Sequence, residues 1–156
     1  MVRMKFSTRE DVEAPIDQVF AQISDFDALE RKGRRWGATL QRTDTMPAPA
    51  KGMAWEIDFD YRGKRRSMAS ELLVYEPPSA LTFFSRTGGL ECRSEIELMA
   101  LAPRRTRVAV QIDLSPKGMS ARLFLQTLRL VKSNLNVRFK KGIARYARQI
   151  EQTARQ

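Results

Sequence analysis

Apolar side chains fall at every second position through much of this chain, then at every third or fourth near its C-terminus. The opening stretch MKFSTREDVEAP puts Phe6, Thr8, Glu10 and Val12 on one side and Ser7, Arg9, Asp11 and Glu13 on the other, the period of a half-buried strand. Pro15 ends it. Ile16, Val19, Phe20 and Ile23 follow at i, i+3, i+4 and i+7, and Asp17 complements the helix dipole in the first turn, which predicts a short amphipathic helix. Ser24 or Asp25 caps a second small helix through Leu29, with Gly33 as its stop.

From Arg34 the period returns to two. Trp36, Ala38 and Leu40 alternate; after the turn-forming MPAPAKG, so do Trp55, Ile57, Phe59 and Tyr61 opposite Glu56, Asp58 and Asp60. YRGKRR turns the chain into a strand running to Tyr75, where adjacent Leu72, Leu73 and Val74 blur the alternation as a β-bulge would. EPPSA breaks that strand. LTFFSRT, LECRSEIELMAL and RVAVQIDL, separated by GG and APRRT, add three more, for seven strands in all.

Past SPKGMS the stripe Phe124, Leu128, Val131, Leu135, Phe139, Gly142, Tyr146 and Ile150 keeps helical spacing. It predicts one uninterrupted helix of about 30 residues, close to 45 Å at 1.5 Å per residue. The expected fold class is α+β: a seven-stranded antiparallel sheet, two short helices between its first two strands, and a long C-terminal helix to cover its apolar face.

Composition narrows the chemistry. At 156 residues the chain is expected to be a single domain, 1–156, with a sizeable core. There is no histidine, which removes imidazole triads and His-ligated metals, and the one cysteine, Cys92, forms neither an internal disulfide nor a thiolate cluster; no metal or cofactor is expected. Lys and Arg total 28 against 18 Asp and Glu, a balance of +10 that favours anionic partners. Nucleic acid is disfavoured among them, because the aromatics follow the buried parity instead of interleaving with arginines on an exposed face. MVRMKFSTRE lacks the apolar run of a secretory signal, and no stretch has the length of a membrane span, so a cytoplasmic protein is expected, peripheral to a membrane at most.

The order of elements, with VEAPIDQVFAQISDFDAL at 12–29, YEPPSAL at 75–81, LAPRRTRVAV at 101–110 and the terminal helix from about Met119, resembles the START/Bet v 1-like superfamily (SRPBCC, polyketide cyclase/dehydrase). The resemblance implies a helix-grip fold: a curved sheet around the terminal helix, with a cavity between them for a small hydrophobic or amphipathic ligand such as a lipid, isoprenoid, quinone or polyketide-like compound. It implies a binding or carrier protein first and a cyclase/dehydratase-like enzyme second. A third reading is a peripheral membrane or protein-binding module using the basic face of the last helix.

Inward parity nominates the cavity lining: Phe6, Thr8, Glu10, Trp36, Trp55, Ile57, Phe59, Phe83, Ser85, Cys92 and Ser94 from the strands, with Ser70 beside them, and Phe124, Leu128, Val131, Leu135 and Tyr146 from the helix. No catalytic motif is present. Glu10, Tyr61 and Tyr146 are the groups able to move a proton or donate to a ligand carbonyl, while Glu10 has an equally simple use as the partner of an arginine on the last helix. Arg138 and Asn134 flank the helical stripe and reach either the cavity or solvent. In a meander, alternate turns share one end of the sheet, so Arg62, Lys64, Arg65, Arg66, Arg86 and Lys117 are expected to ring the cavity mouth and meet an anionic ligand or an acidic membrane surface.

Overall fold

A computed structural model describes residues 3–156. Strands β1 (Met4–Val12), β2 (Thr39–Arg42), β3 (Ala54–Tyr61), β4 (Lys64–Glu76), β5 (Ala80–Thr87), β6 (Leu90–Ala102) and β7 (Arg105–Pro116) form one antiparallel sheet in the order β1-β7-β6-β5-β4-β3-β2. Only β1 departs from sequence order, crossing to pair with β7 from Met4↔Leu114 to Val12↔Thr106. Helices α1 (Ile16–Ile23) and α2 (Phe26–Arg35) lie between β1 and β2, as the pattern predicts, and α3 (Met119–Arg129) and α4 (Lys132–Ala154) follow β7. The expected bulge is present as a register shift between Leu72 and Val74.

Two elements differ from their expected form. Helix α2 runs past Gly33 to Arg35. Gly33 lies inside the helix, where a Cβ would come 2.7 Å from Leu40 Cδ1, the tip of a flexible side chain on β2. The stop comes four residues later: Gly37, at φ +92°, donates from its N–H to the Arg34 carbonyl, and Ala38 N–H donates to the Gly33 carbonyl, the paired bonds of a Schellman motif. Trp36 is therefore the helix C-cap and not an inward strand residue; it is 82% exposed.

The C-terminal segment is two helices. At Leu130 and Val131 the bonds tighten to Thr127 and Leu128 carbonyls, three residues back, and Val131 leaves helical geometry at φ −117°, ψ +18°. Exposed Val131 marks this break and does not line a cavity. Beyond it α4 packs along β1 and covers the sheet with Phe139, Ile143, Tyr146, Ala147 and Ile150. Gly142, expected on the stripe, is exposed, while Ile143 and Ala147 pack on the main core.

The main core joins α1, α2 and α4 to the concave face through Val19, Phe20, Phe26, Trp55, Leu72, Leu81, Val108 and Ile150. A second, smaller core holds α3: Leu125 is fully buried against Met4 and Phe6, with Leu90, Ile112, Leu114 and Leu128 around it. Glu151 is a buried polar link between the ends of the chain, accepting from Glu13 N–H at 2.8 Å and facing Arg148 at 3.3 Å. No helix among the described residues is long and apolar enough to cross a membrane.

Candidate functional site

Between the β3–β4 hairpin and α3 lies an apolar groove of about 460 Å³. Phe59 and Tyr61 reach it from β3, Leu90 from β6, and Ala121, Phe124, Leu128 and Leu135 from the helices. Each is there by its local period: 59 and 61 share one face of a strand, 121, 124 and 128 one face of a helix. Small residues at the rim, Thr87, Gly88 and Ser120, leave it open.

The hairpin tip is a two-residue turn with Arg62 at φ +51° and Gly63 at φ +76°, a conformation that suits glycine and strains arginine. That turn sets the Arg62 guanidinium 5.4 Å from the centre of the Tyr61 ring, and Arg66 stacks at 5.5 Å on the same ring. Two cations thus share one aromatic at the mouth. The other four expected there do not line the groove, Arg65 and Arg86 because strand alternation turns them to the opposite face. Arg65 is on the outward parity, bonded to Asp60, Thr39 and the Gly37 carbonyl; Arg86 lies over outward-facing Phe84; Lys117 faces Glu91 at 3.9 Å; Lys64 is exposed at the hairpin.

A second, smaller hollow of about 190 Å³ opens between α2 and the sheet, lined by Leu29, Leu40, Trp55, Ile57, Ser70 and Phe83. Ile57 borders this hollow and Phe59, two residues along the same strand face, borders the groove. The wall of the smaller hollow is a cluster of rings: Phe26, Trp55 and Phe83 pack with ring centres 5.5 to 6.1 Å apart. Trp55 and Phe83 are thus both core and wall.

A row of small polar groups crosses the concave face. The register pairs Ser70 with Ser85 and Ser85 with Cys92, and Ser85 Oγ donates to Ser70 Oγ at 3.0 Å. Cys92 Sγ and Ser94 Oγ are 3.6 Å apart. Burial pushes the Cys92 thiol up, so it is no ready nucleophile.

Several nominated residues do not meet in a cavity. Phe6 is packed in the small core, its ring 5.9 Å from Phe139. Thr8 borders a polar hollow of about 470 Å³ at the β1 edge, with Arg9, Glu95, Glu97, Gln111 and Lys140, a lining unsuited to an apolar guest. Glu10 pairs with Arg148 of α4 at 3.5 Å. Tyr146 belongs to the main core with Lys32 over its ring at 4.8 Å, and burial pushes its phenol up. Asn134 and Arg138 point to solvent. Sequence reasoning missed Leu90, Ala121 and Ser120 at the groove; helical spacing from Phe124 back to Ala121 and Ser120 carried that signal. Among the described residues no cluster of acidic and thiol side chains is arranged to hold a metal.

A curved antiparallel sheet gripping C-terminal helices, with an apolar groove between them, defines the Bet v 1/SRPBCC class. Within it, residues 3–151 match the family described as polyketide cyclase/dehydrase and lipid transport, and the chain belongs to that family. The fold is shared with the Zhui aromatase/cyclase from Streptomyces sp. R1128, at 13% identity and a TM-score of 0.65 over 94% of each chain. It is also shared with TTHA0849 from Thermus thermophilus, at 14% identity and 0.63 over 97% of each. Ara h 8.0201 aligns over 74% of this chain and 79% of its own, at 15% identity and 0.58. No curated protein sequence matches the chain.

Proposed function

We propose that this protein binds or carries a small hydrophobic or amphipathic molecule, a lipid, isoprenoid, quinone or polyketide-like compound, with its apolar part in the groove between β3 and α3 and a polar or anionic end at Arg62 and Arg66. The observation that carries this is the groove itself. At about 460 Å³ it falls in the range of small-molecule sites, roughly 300 to 1,000 Å³. Burial of the ligand's hydrocarbon supplies affinity at about 25 cal/mol per Å², and the paired guanidiniums supply orientation.

A cyclase/dehydratase-like activity is the second reading, favoured by one feature: the Tyr61 hydroxyl belongs to a ring that lines the groove between two cations. Glu10 and Tyr146, engaged with Arg148 and the core, have no part in it. Organic extraction of the purified protein followed by mass spectrometry, with titration of a fluorescent fatty-acid probe, tests the binding reading. A copurifying apolar compound displaced by the probe supports it; clean extracts and no probe binding overturn it. Tyr61→Phe separates the two readings, since a carrier keeps its ligand and an enzyme loses turnover while binding persists.

A further inference from the structure

The apolar residues that α3 does not bury are as notable as those it does. Its inner side carries Ala121, Phe124, Leu125 and Leu128 to the core and groove. Its outer side leaves Met119 69% exposed and Leu123 56%, and at the break Leu130 is 85% exposed and Val131 46%. Large aliphatic side chains rarely gather in water without a partner.

Charge says which partner. Between Asp113 and Glu151 the sequence has lysines and arginines throughout and no Asp or Glu. Around the exposed aliphatics stand Arg122, Arg129 and Lys132, and across the groove mouth Arg62 and Arg66; none of these five forms an ion pair among the described residues. Trp36 belongs to the same end of the sheet, since the carbonyl of its neighbour Gly37 accepts from Arg65 of the β3–β4 hairpin. An exposed Trp beside Arg34 and Arg35 is suited to the headgroup layer, where one edge of the ring is wet and the other apolar. Nucleic acid offers the cations phosphates but gives the leucines nothing to enter, whereas an anionic bilayer offers both.

We infer that the outer face of α3 and the Leu130–Val131 break dock on an anionic lipid bilayer, with Trp36 and the groove mouth brought to its surface. This builds on the groove-binding reading: one helix then touches the guest on one side and the bilayer on the other, so a ligand passes between groove and membrane without crossing water. Docking requires only the exposed face, so it is testable apart from ligand binding.

The test is co-sedimentation of the full-length protein with vesicles of phosphatidylcholine containing about a third phosphatidylglycerol, against pure phosphatidylcholine; each cation near an anionic surface adds about five-fold. The protein is expected on the anionic vesicles, released by high salt, with the emission of exposed Trp36 blue-shifted and quenched by brominated lipid. Leu123→Ser with Leu130→Ser, both at exposed positions, is expected to keep the melting temperature and lose roughly ten-fold or more in vesicle affinity, and Arg129→Glu with Lys132→Glu is expected to abolish the preference for anionic lipid. Equal sedimentation with both vesicle types, undiminished binding by the serine variant, or a dimer in light scattering that the serine variant dissociates would each overturn the inference, the last by assigning the face to a second copy. Phe124→Trp, which fills the groove, keeps the two readings distinct: it is expected to stop probe binding and leave vesicle binding intact.

Discussion

The ring of Phe124 on α3 meets that of Tyr61 on β3 edge-on, with centroids 6.2 Å apart and planes at 90°. This contact joins the hairpin to the helix across the groove, and the same Tyr61 ring carries Arg62 and Arg66. Apolar wall and cationic mouth are thereby held by one pair of rings.

Removing that wall separates groove from core. Phe124→Ala takes away a partly buried ring that lines the groove, and is expected to weaken a fatty-acid probe by about ten-fold or more, measured by fluorescence titration, with a smaller effect on urea stability.

Leu125, one residue on, faces the opposite balance. It is fully buried between Met4 and Phe6, so Leu125→Ala is expected to lower unfolding free energy by about 2–5 kcal/mol, read from urea denaturation.

Arg62 sits in a left-handed turn position that asparagine tolerates better. Arg62→Asn is therefore expected to raise the melting temperature slightly while weakening carboxylate-bearing probes relative to neutral ones. Loss of both stability and selectivity would show that the arginine supports the hairpin by its stacking on Tyr61.

Acid sensitivity has a named source in Asp44. Its carboxylate accepts from the Arg42 guanidinium and from the N–H groups of Ala54 and Met46, and these hold it well below the usual carboxylate range. The native pKa is below the unfolded one, so the contribution to stability is whole above the unfolded value of about 3.9 and drains away as pH falls beneath it. Asp44→Ala is expected to lower the melting temperature near neutral pH and to flatten its decline between about pH 5 and pH 2, followed by circular dichroism.

Cys92 gives a probe of the interior. Burial raises its thiol, so iodoacetamide is expected to label the folded protein slowly at neutral pH and faster in urea, and Cys92→Ser is expected to leave probe binding unchanged.

The sheet is legible in the sequence because period-two alternation is a local property: Trp55 to Tyr61 announce β3 unaided, and even the bulge at Leu72–Val74 is visible as a break in parity. Trp36 misleads because an aromatic alternating with Ala38 and Leu40 imitates a strand, whereas the deciding signal is Gly37, the residue able to close α2. The break at Leu130–Val131 has no proline or glycine to mark it, and the apolar stripe continues through it unbroken, since Leu125 on α3 and Ile143 on α4 fall in line on one straight helix of about 3.6 residues per turn. At the site, parity locates Phe59, Phe124, Leu128 and Leu135 but does not say which inward residues find partners. Phe6 meets Phe139 and Glu10 meets Arg148, contacts made between elements more than a hundred residues apart in the chain.

One edge of the sheet, β2, is only four residues long and is followed by a loop that Asp44 ties back to β3 through the Ala54 N–H. A neighbouring chain seeking to extend the sheet there finds few free rungs and a charged guanidinium at Arg42. A molecule that shows bare leucines on α3 thus withholds its backbone from strangers at this edge, and keeps stickiness for oily surfaces apart from that route to aggregation.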